Sequence, residues 1–197
     1  MADDATAIEM AVMAATDAGL FALWNPARFS HVTDYNAWED SLGEDAHVVG
    51  HAGAGDLVPI GFGGDGAFGF VVRSDSAKPT ALTEREKTYL IASSKPYLFC
   101  SEGTAHLSGI EYVSAAPPPA TASIRLPAGR YGVTVHLLNW AAEPGARDAA
   151  GKPAKDALPD VVVLVSPADD DDRFRTAVST FGTFGTGGTG GTGGTGS

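Results

Sequence analysis

Ser123–Leu138, SIRLPAGRYGVTVHLL, carries the clearest periodicity in the chain. Ile124 and Leu126 alternate with polar residues. Beyond Pro127-Ala128-Gly129, Tyr131, Val133, Val135 and Leu137 alternate in turn. A period of two puts each set on one face of a half-buried strand. Proline presets φ and glycine admits a positive φ, so Pro127-Ala128-Gly129 is expected to be a tight turn. The stretch therefore reads as a central β-hairpin.

The neighbouring sequence extends this pattern. Upstream, Pro96–Cys100 and Ala105–Ile110 flank Ser101-Glu102-Gly103-Thr104 as a second hairpin. Ala115-Ala116-Pro117-Pro118-Pro119 forms a stiff excursion between the two. Downstream, Ala141–Pro159 is a long polar loop. Asp160–Val165, DVVVLV, is a continuous apolar run, expected to be a central strand buried on both faces.

Towards the N-terminus, Ala7–Ala15 suits strand or helix, and Gly19–Trp24 is a strand stopped by Asn25-Pro26. Asp34–Leu42 reads as a short helix with Asp34 as N-cap and Gly43 as stop, placing Tyr35, Trp38 and Leu42 on one face. Ala46–Ala52, Asp56–Phe62 and Ala67–Arg73 are expected strands. Thr83-Glu84-Arg85-Glu86 has the form of a capping box, but Tyr89-Leu90-Ile91 suits a strand equally well. The expected fold is all-β: a β-sandwich over residues 1–172 with one or two short helices, then a Gly/Thr-rich tail over 173–197.

Composition agrees. Of 197 residues 44% are apolar, enough for a core, and 25 Gly with 12 Pro suit short strands and many turns. Acids outnumber bases 24 to 13, for a net charge of −11. Such a surface repels phosphate backbones, so nucleic-acid binding is not expected. It fits solubility, or a protein partner with a basic face. Acids near the start argue against a signal peptide, and no run approaches the ~20 apolar residues of a membrane span. Cys100 is the single cysteine, so no intrachain disulfide forms. The expectation is a cytoplasmic protein.

Four patterns invite a chemical reading. Gly61-x-Gly63-x-x-Gly66 matches a dinucleotide fingerprint, but that mechanism needs a helix after the last glycine. The alternating AFGFVVR that follows reads as a strand, and the glycines as a hairpin turn. His47 and His51 have the spacing of a helical metal pair, but on the expected strand they stand ~13 Å apart. Cys100 and His106 make a nucleophile and base only if a hairpin brings them together. Asp169–Asp172 lacks the spacing of a calcium loop and reads as an acidic linker. No metal, cofactor or catalytic constellation is therefore expected, and the chain is expected not to be an enzyme.

The tail repeats every three residues: Phe181-Gly182-Thr183, Phe184-Gly185-Thr186, then Gly-Gly-Thr to Thr195. A threefold helix matches that period and puts both phenylalanines on one edge. It makes no internal hydrogen bonds, so its backbone is free to pair with other chains. The expected interaction residues are Phe181, Gly182, Thr183, Phe184, Gly185, Thr186, Gly188, Thr189, Gly191, Thr192, Gly194 and Thr195. The first expectation is accordingly a structural protein that assembles into a homo-oligomer or filament through its tail. The alternative is an acidic inhibitory or immunity-type protein that masks a basic protein partner.

Leu126-Pro127-Ala128-Gly129-Arg130-Tyr131-Gly132-Val133, followed by a terminal apolar strand and Ser166-Pro167, resembles small bacterial β-sandwich domains. These include proteins similar to competence-nuclease inhibitors and toxin-immunity proteins. The resemblance spans roughly Pro96–Pro167. It implies a non-catalytic binder and assigns no functional residue.

Overall fold

The computed structural model describes residues 7–61, 63–75, 78–169 and 172–181. In chain order the elements are β1 (Ile8–Thr16), β2 (Leu20–Trp24), α1 (Tyr35–Leu42), α2 (Asp45–Ala54), β3 (Leu57–Gly61) and β4 (Gly66–Ser74). Then come α3 (Glu84–Thr88), β5 (Leu90–Ser93), β6 (Tyr97–Gly109), β7 (Ala122–Leu138) and β8 (Val161–Pro167). The chain is mostly β, with short helices.

The ladders run through one mixed sheet in the order β1-β4-β8-β7-β6-β2-β3, with β5 added beside the end of β7. The β4–β8 ladder is parallel and the others are antiparallel. The expected sandwich was two sheets; here one sheet curls over a shared core. β1 lies against β6 without sharing a ladder with it. The approach is close: a Cβ on Gly109 would stand 2.7 Å from the Ala15 carbonyl oxygen.

The two expected hairpins are corrected by a single long ribbon. β6 and β7 each run unbroken, for 13 and 17 residues. Where turns were expected, the strands instead form a bulge. Ser101 pairs with Gly129 and Gly103 with Leu126, so Pro127 and Ala128 together face Glu102. A bulge tolerates proline because the extra residue makes no ladder bond. Ser101 Oγ donates to Leu126 O at 2.7 Å and accepts from Gly103 N at 3.1 Å. Tyr131 OH donates to Pro127 O at 2.9 Å. The positive φ falls on Gly103, at +116°, and not on Gly129. One extra residue also reverses which side chains face inward: Ile124 and Leu126 are buried before the bulge, and Tyr131, Val133 and Val135 after it.

β8 is central and buried on both faces, as its composition predicts. Val161, Val163 and Val165 join the main core with Phe21, Phe70, Tyr97 and Phe99. Val162 and Leu164 pack on the opposite face with Leu138 and Leu158. Fully burying each such side chain stabilises by about 1.5–3 kcal/mol relative to exposure. The capping-box sequence yields helix and strand in succession, α3 then β5. Thr83 N donates to Glu86 Oε2 at 2.7 Å and Glu86 N to Thr83 Oγ1 at 3.2 Å. Burial alone would raise the Glu86 carboxyl; hydrogen bonds from Arg73 and Thr83, with the Arg73 charge, outweigh it and hold it below the usual range.

The Gly61–Gly66 pattern is followed by strand β4, as expected, but it is no hairpin turn: β3 and β4 occupy distant places in the sheet order. Beyond the last strand, the chain returns along the body. Arg175 N donates to Pro96 O at 2.8 Å and Tyr97 OH to Ala177 O at 2.9 Å. Thr180 Oγ1 accepts from Gly61 N and donates to Pro59 O, both at 2.8 Å, along edge strand β3. Phe181, expected among the assembly residues, is 5% exposed and sits in the main core of its own chain. Gly182, Thr183, Phe184, Gly185, Thr186, Gly188, Thr189, Gly191, Thr192, Gly194 and Thr195 lie outside the described residues. Assembly through the tail thus finds no support among the residues described.

Candidate functional site: a helical corner between β2 and β3

Residues 25–56 leave the sheet after β2 and return at β3. Asn25 secures the exit: its Oδ1 accepts from Ala27 N at 3.1 Å and its Nδ2 donates to Cys100 O at 2.9 Å. Asp34 Oδ1 accepts from Ala37 N at 2.9 Å and caps α1, satisfying one of the amides a helix start leaves open. Gly55 ends α2 at φ +80°, where a side chain would meet Cys100 Sγ at 2.8 Å. Trp24, Phe29, Val32, Leu42, Val48, Ala22 and Leu57 form the core beneath.

The expected strand over Ala46–Ala52 is corrected here: it is helix α2. Val48 and Ala52, four residues apart, both face the core. That helical spacing outweighs the strand preference of Val48-Val49. The inference that a strand separates His47 from His51 falls with it, since both now lie on one side of a helix.

α1 presents two different faces. Tyr35 and Trp38 stack, with ring centroids 6.3 Å apart and planes 22° apart. Tyr35 is 69% exposed, whereas Trp38 anchors by donating Nε1–H to Ile110 O at 3.0 Å. They border a groove of about 400 Å³ with Val32, Asp34, Glu111 and Val113. The other face, with α2, lines a shallow groove of about 600 Å³ holding His31, Asp40, Ser41, His47 and His51.

The charge of this corner is one-sided. From Ser30 to Gly55 the sequence holds Asp34, Glu39, Asp40, Glu44 and Asp45 and no lysine or arginine. All five are exposed, and none of the five takes part in an ion pair among the described residues. Arg28, at the base, is occupied by Asp56 at 3.6 Å and Glu102 at 2.9 Å.

Within the second groove, His51 Nδ1 is 2.9 Å from Asp56 Oδ2, and His51 Nε2 is 3.1 Å from Ser41 Oγ. His31 Nε2 lies 3.4 Å from the same Ser41 oxygen. His47 Nδ1 is buried without a hydrogen-bond partner. No group of three metal-ligating side chains occurs among the described residues. Cys100 and His106 are not brought together, because both lie on β6 six residues apart, roughly 20 Å along a strand. Ser41 and Asp56 carried no local signal. A serine in a helix and an aspartate after a glycine acquire meaning only when α2 carries His51 between them.

No protein-family model and no curated protein matches the chain. Among solved structures, the fold is similar to "Crocagin biosynthetic gene J", at 15% identity and a TM-score of 0.55, over 83% of this chain and 98% of that one. The chain is also similar to ComJ, an inhibitor of the DNA-degrading activity of NucA, from Bacillus subtilis. There the identity is 11% and the TM-score 0.48, over 83% of this chain and 100% of ComJ. ComJ is of the kind that the sequence resemblance named.

Proposed function

We propose that this chain is an acidic binding protein that masks a basic face of a protein partner, and that the α1–α2 corner makes the contact. The observation that carries this reading is Tyr35. It is a large aromatic, 69% exposed, stacked on an anchored Trp38, in a corner that holds five exposed carboxylates and no lysine or arginine between Ser30 and Gly55. Exposed aromatics beside a groove supply the anchors of protein interfaces, and a one-sided charge selects a partner of opposite sign and speeds its approach. Trp38 adds rigidity because its indole is already hydrogen-bonded to the backbone.

The test places a photoreactive residue at position 35 and identifies the cross-linked protein in the cell of origin. The expected partner is basic at the cross-linked face. Its affinity for the purified chain should fall at least ~100-fold with Tyr35→Ala combined with Trp38→Ala, since hot-spot truncations cost about 2 kcal/mol or more each. Asp40→Lys with Glu44→Lys should weaken binding and flatten its salt dependence. An acidic partner face, or unchanged affinity in both double variants, would overturn the reading.

A further inference from the structure

Beyond binding, the geometry points to a nucleophilic serine: Ser41, His51 and Asp56 form an acyl-transfer site in the groove between α1 and α2. The three groups come from three places, the last turn of α1, the last turn of α2 and the residue before β3. Two contacts of 3.1 and 2.9 Å link them in the order serine, imidazole, carboxylate. Each ring nitrogen has a different partner, which is the requirement for a base that is itself oriented.

One proton arrangement satisfies the contacts. Asp56 accepts from Nδ1–H of His51, so Nε2 is left to accept the Ser41 hydroxyl proton. His31, in its Nε2–H form, donates to Ser41 Oγ from the other side. The Arg28 guanidinium, 3.6 Å from Asp56 Oδ1, helps hold the carboxylate in place. Ser41 and His51 are part-exposed and line an open groove, so a substrate can reach both.

The reaction that fits is hydrolysis of a small carboxylic ester. Ser41 Oγ bonds to the acyl carbon while its proton passes to His51 Nε2. The bond from the acyl carbon to the leaving oxygen breaks, and the alcohol departs with the proton from His51. Water, deprotonated by His51, then attacks the acyl-serine and releases the carboxylic acid and free Ser41. Asp40 on the groove wall favours neutral or cationic esters over anionic ones.

The experiment treats the full-length chain with a fluorophosphonate probe, maps the adduct by mass spectrometry, and follows p-nitrophenyl acetate hydrolysis. An adduct on Ser41 is expected. Ser41→Ala should abolish both adduct and turnover with an unchanged melting temperature. His51→Gln should slow turnover by ~10²–10⁴-fold, the range of a lost general base. Asp56→Asn, which preserves size, should slow it at least ~10-fold by releasing the imidazole. Met13→Ala, at an exposed position on β1, should leave labelling and turnover intact. No adduct on Ser41, or equal turnover in Ser41→Ala, would overturn the assignment and leave the chain of contacts as a tie between the two helices and β3.

Discussion

The β6–β7 ribbon and the α1–α2 corner are built on opposite terms. The ribbon turns its large side chains inward: Tyr97, Phe99, Leu107, Val133 and Val135 are all fully buried. Even its irregular centre binds its own polar atoms, through Ser101 and Tyr131. The corner packs Phe29, Val32, Leu42 and Val48 beneath it but turns other groups outward. It leaves Tyr35 exposed, gathers five carboxylates without a lysine or arginine between Ser30 and Gly55, and brings imidazoles, a hydroxyl and a carboxylate into one open groove. Charges left unpaired on a surface repel one another and contribute nothing to folding. The difference teaches that the ribbon is built for stability, and the proposed recognition by the corner should be separable from it by mutation.

The strongest way to break that comparison is in the ribbon. Phe99→Ala should destabilise by about 3–5 kcal/mol in urea unfolding, because Phe99 is fully buried and its loss leaves a cavity. A cost under ~1 kcal/mol would mean the ribbon is not the core.

Gly55→Ala tests the joint between the regions. It requires a left-handed φ from an alanine and sets its Cβ 2.8 Å from Cys100 Sγ. A loss of about 1–2 kcal/mol from the backbone alone is expected, and the contact adds to it. A neutral result would show that α2 ends by a different route.

Acidity gives a smaller and graded effect. Burial holds the His106 imidazole below its usual range, and it does the same to His136 against a partial opposing pull from Glu86. His106 Nδ1 and His136 Nε2 are buried without partners, which agrees with neutral rings. A folded pKa below the unfolded value near 6.5 means stability is full above that pH and is lost as the pH falls through it towards the folded value. The urea midpoint should therefore drop between pH ~7.5 and ~5.5. His106→Gln with His136→Gln should flatten that slope, and an unchanged slope would place its origin elsewhere.

The smallest effect on stability belongs to the corner. Tyr35→Ser and Asp40→Asn should each stay within ~0.5 kcal/mol of the parent, as exposed sites do. If either unfolds the chain, the corner is part of the stabilising structure and the separation fails.

Much of the architecture was legible before any coordinates. DVVVLV announced a strand buried on two faces, because a run without polar positions has no face to offer water. Asp34 and Gly43 bracketed α1, and the Thr83–Glu86 box located α3. The reversal of the inward set from Ile124 and Leu126 to Tyr131, Val133 and Val135 was equally visible, but a hairpin and a bulge both produce it. Local residue preferences do not choose between them. Opposed ladders do, since Ser101–Gly103 and Pro127–Gly129 meet only once β6 and β7 are paired.

The chain by itself determined its mostly β character, its central strand, its acidic surface and the lack of any lysine or arginine between Ser30 and Gly55. These depend on composition and on neighbours a few positions apart. Only the tertiary structure decided that one sheet curls where two were expected, that Phe181 is held in its own core, and that Ala46–Ala52 is helix. It alone brought Ser41, His51 and Asp56 into line. Such choices are made by contacts between residues far apart in sequence, whose free energies exceed local preferences of a few tenths of a kcal/mol to about 1 kcal/mol per residue.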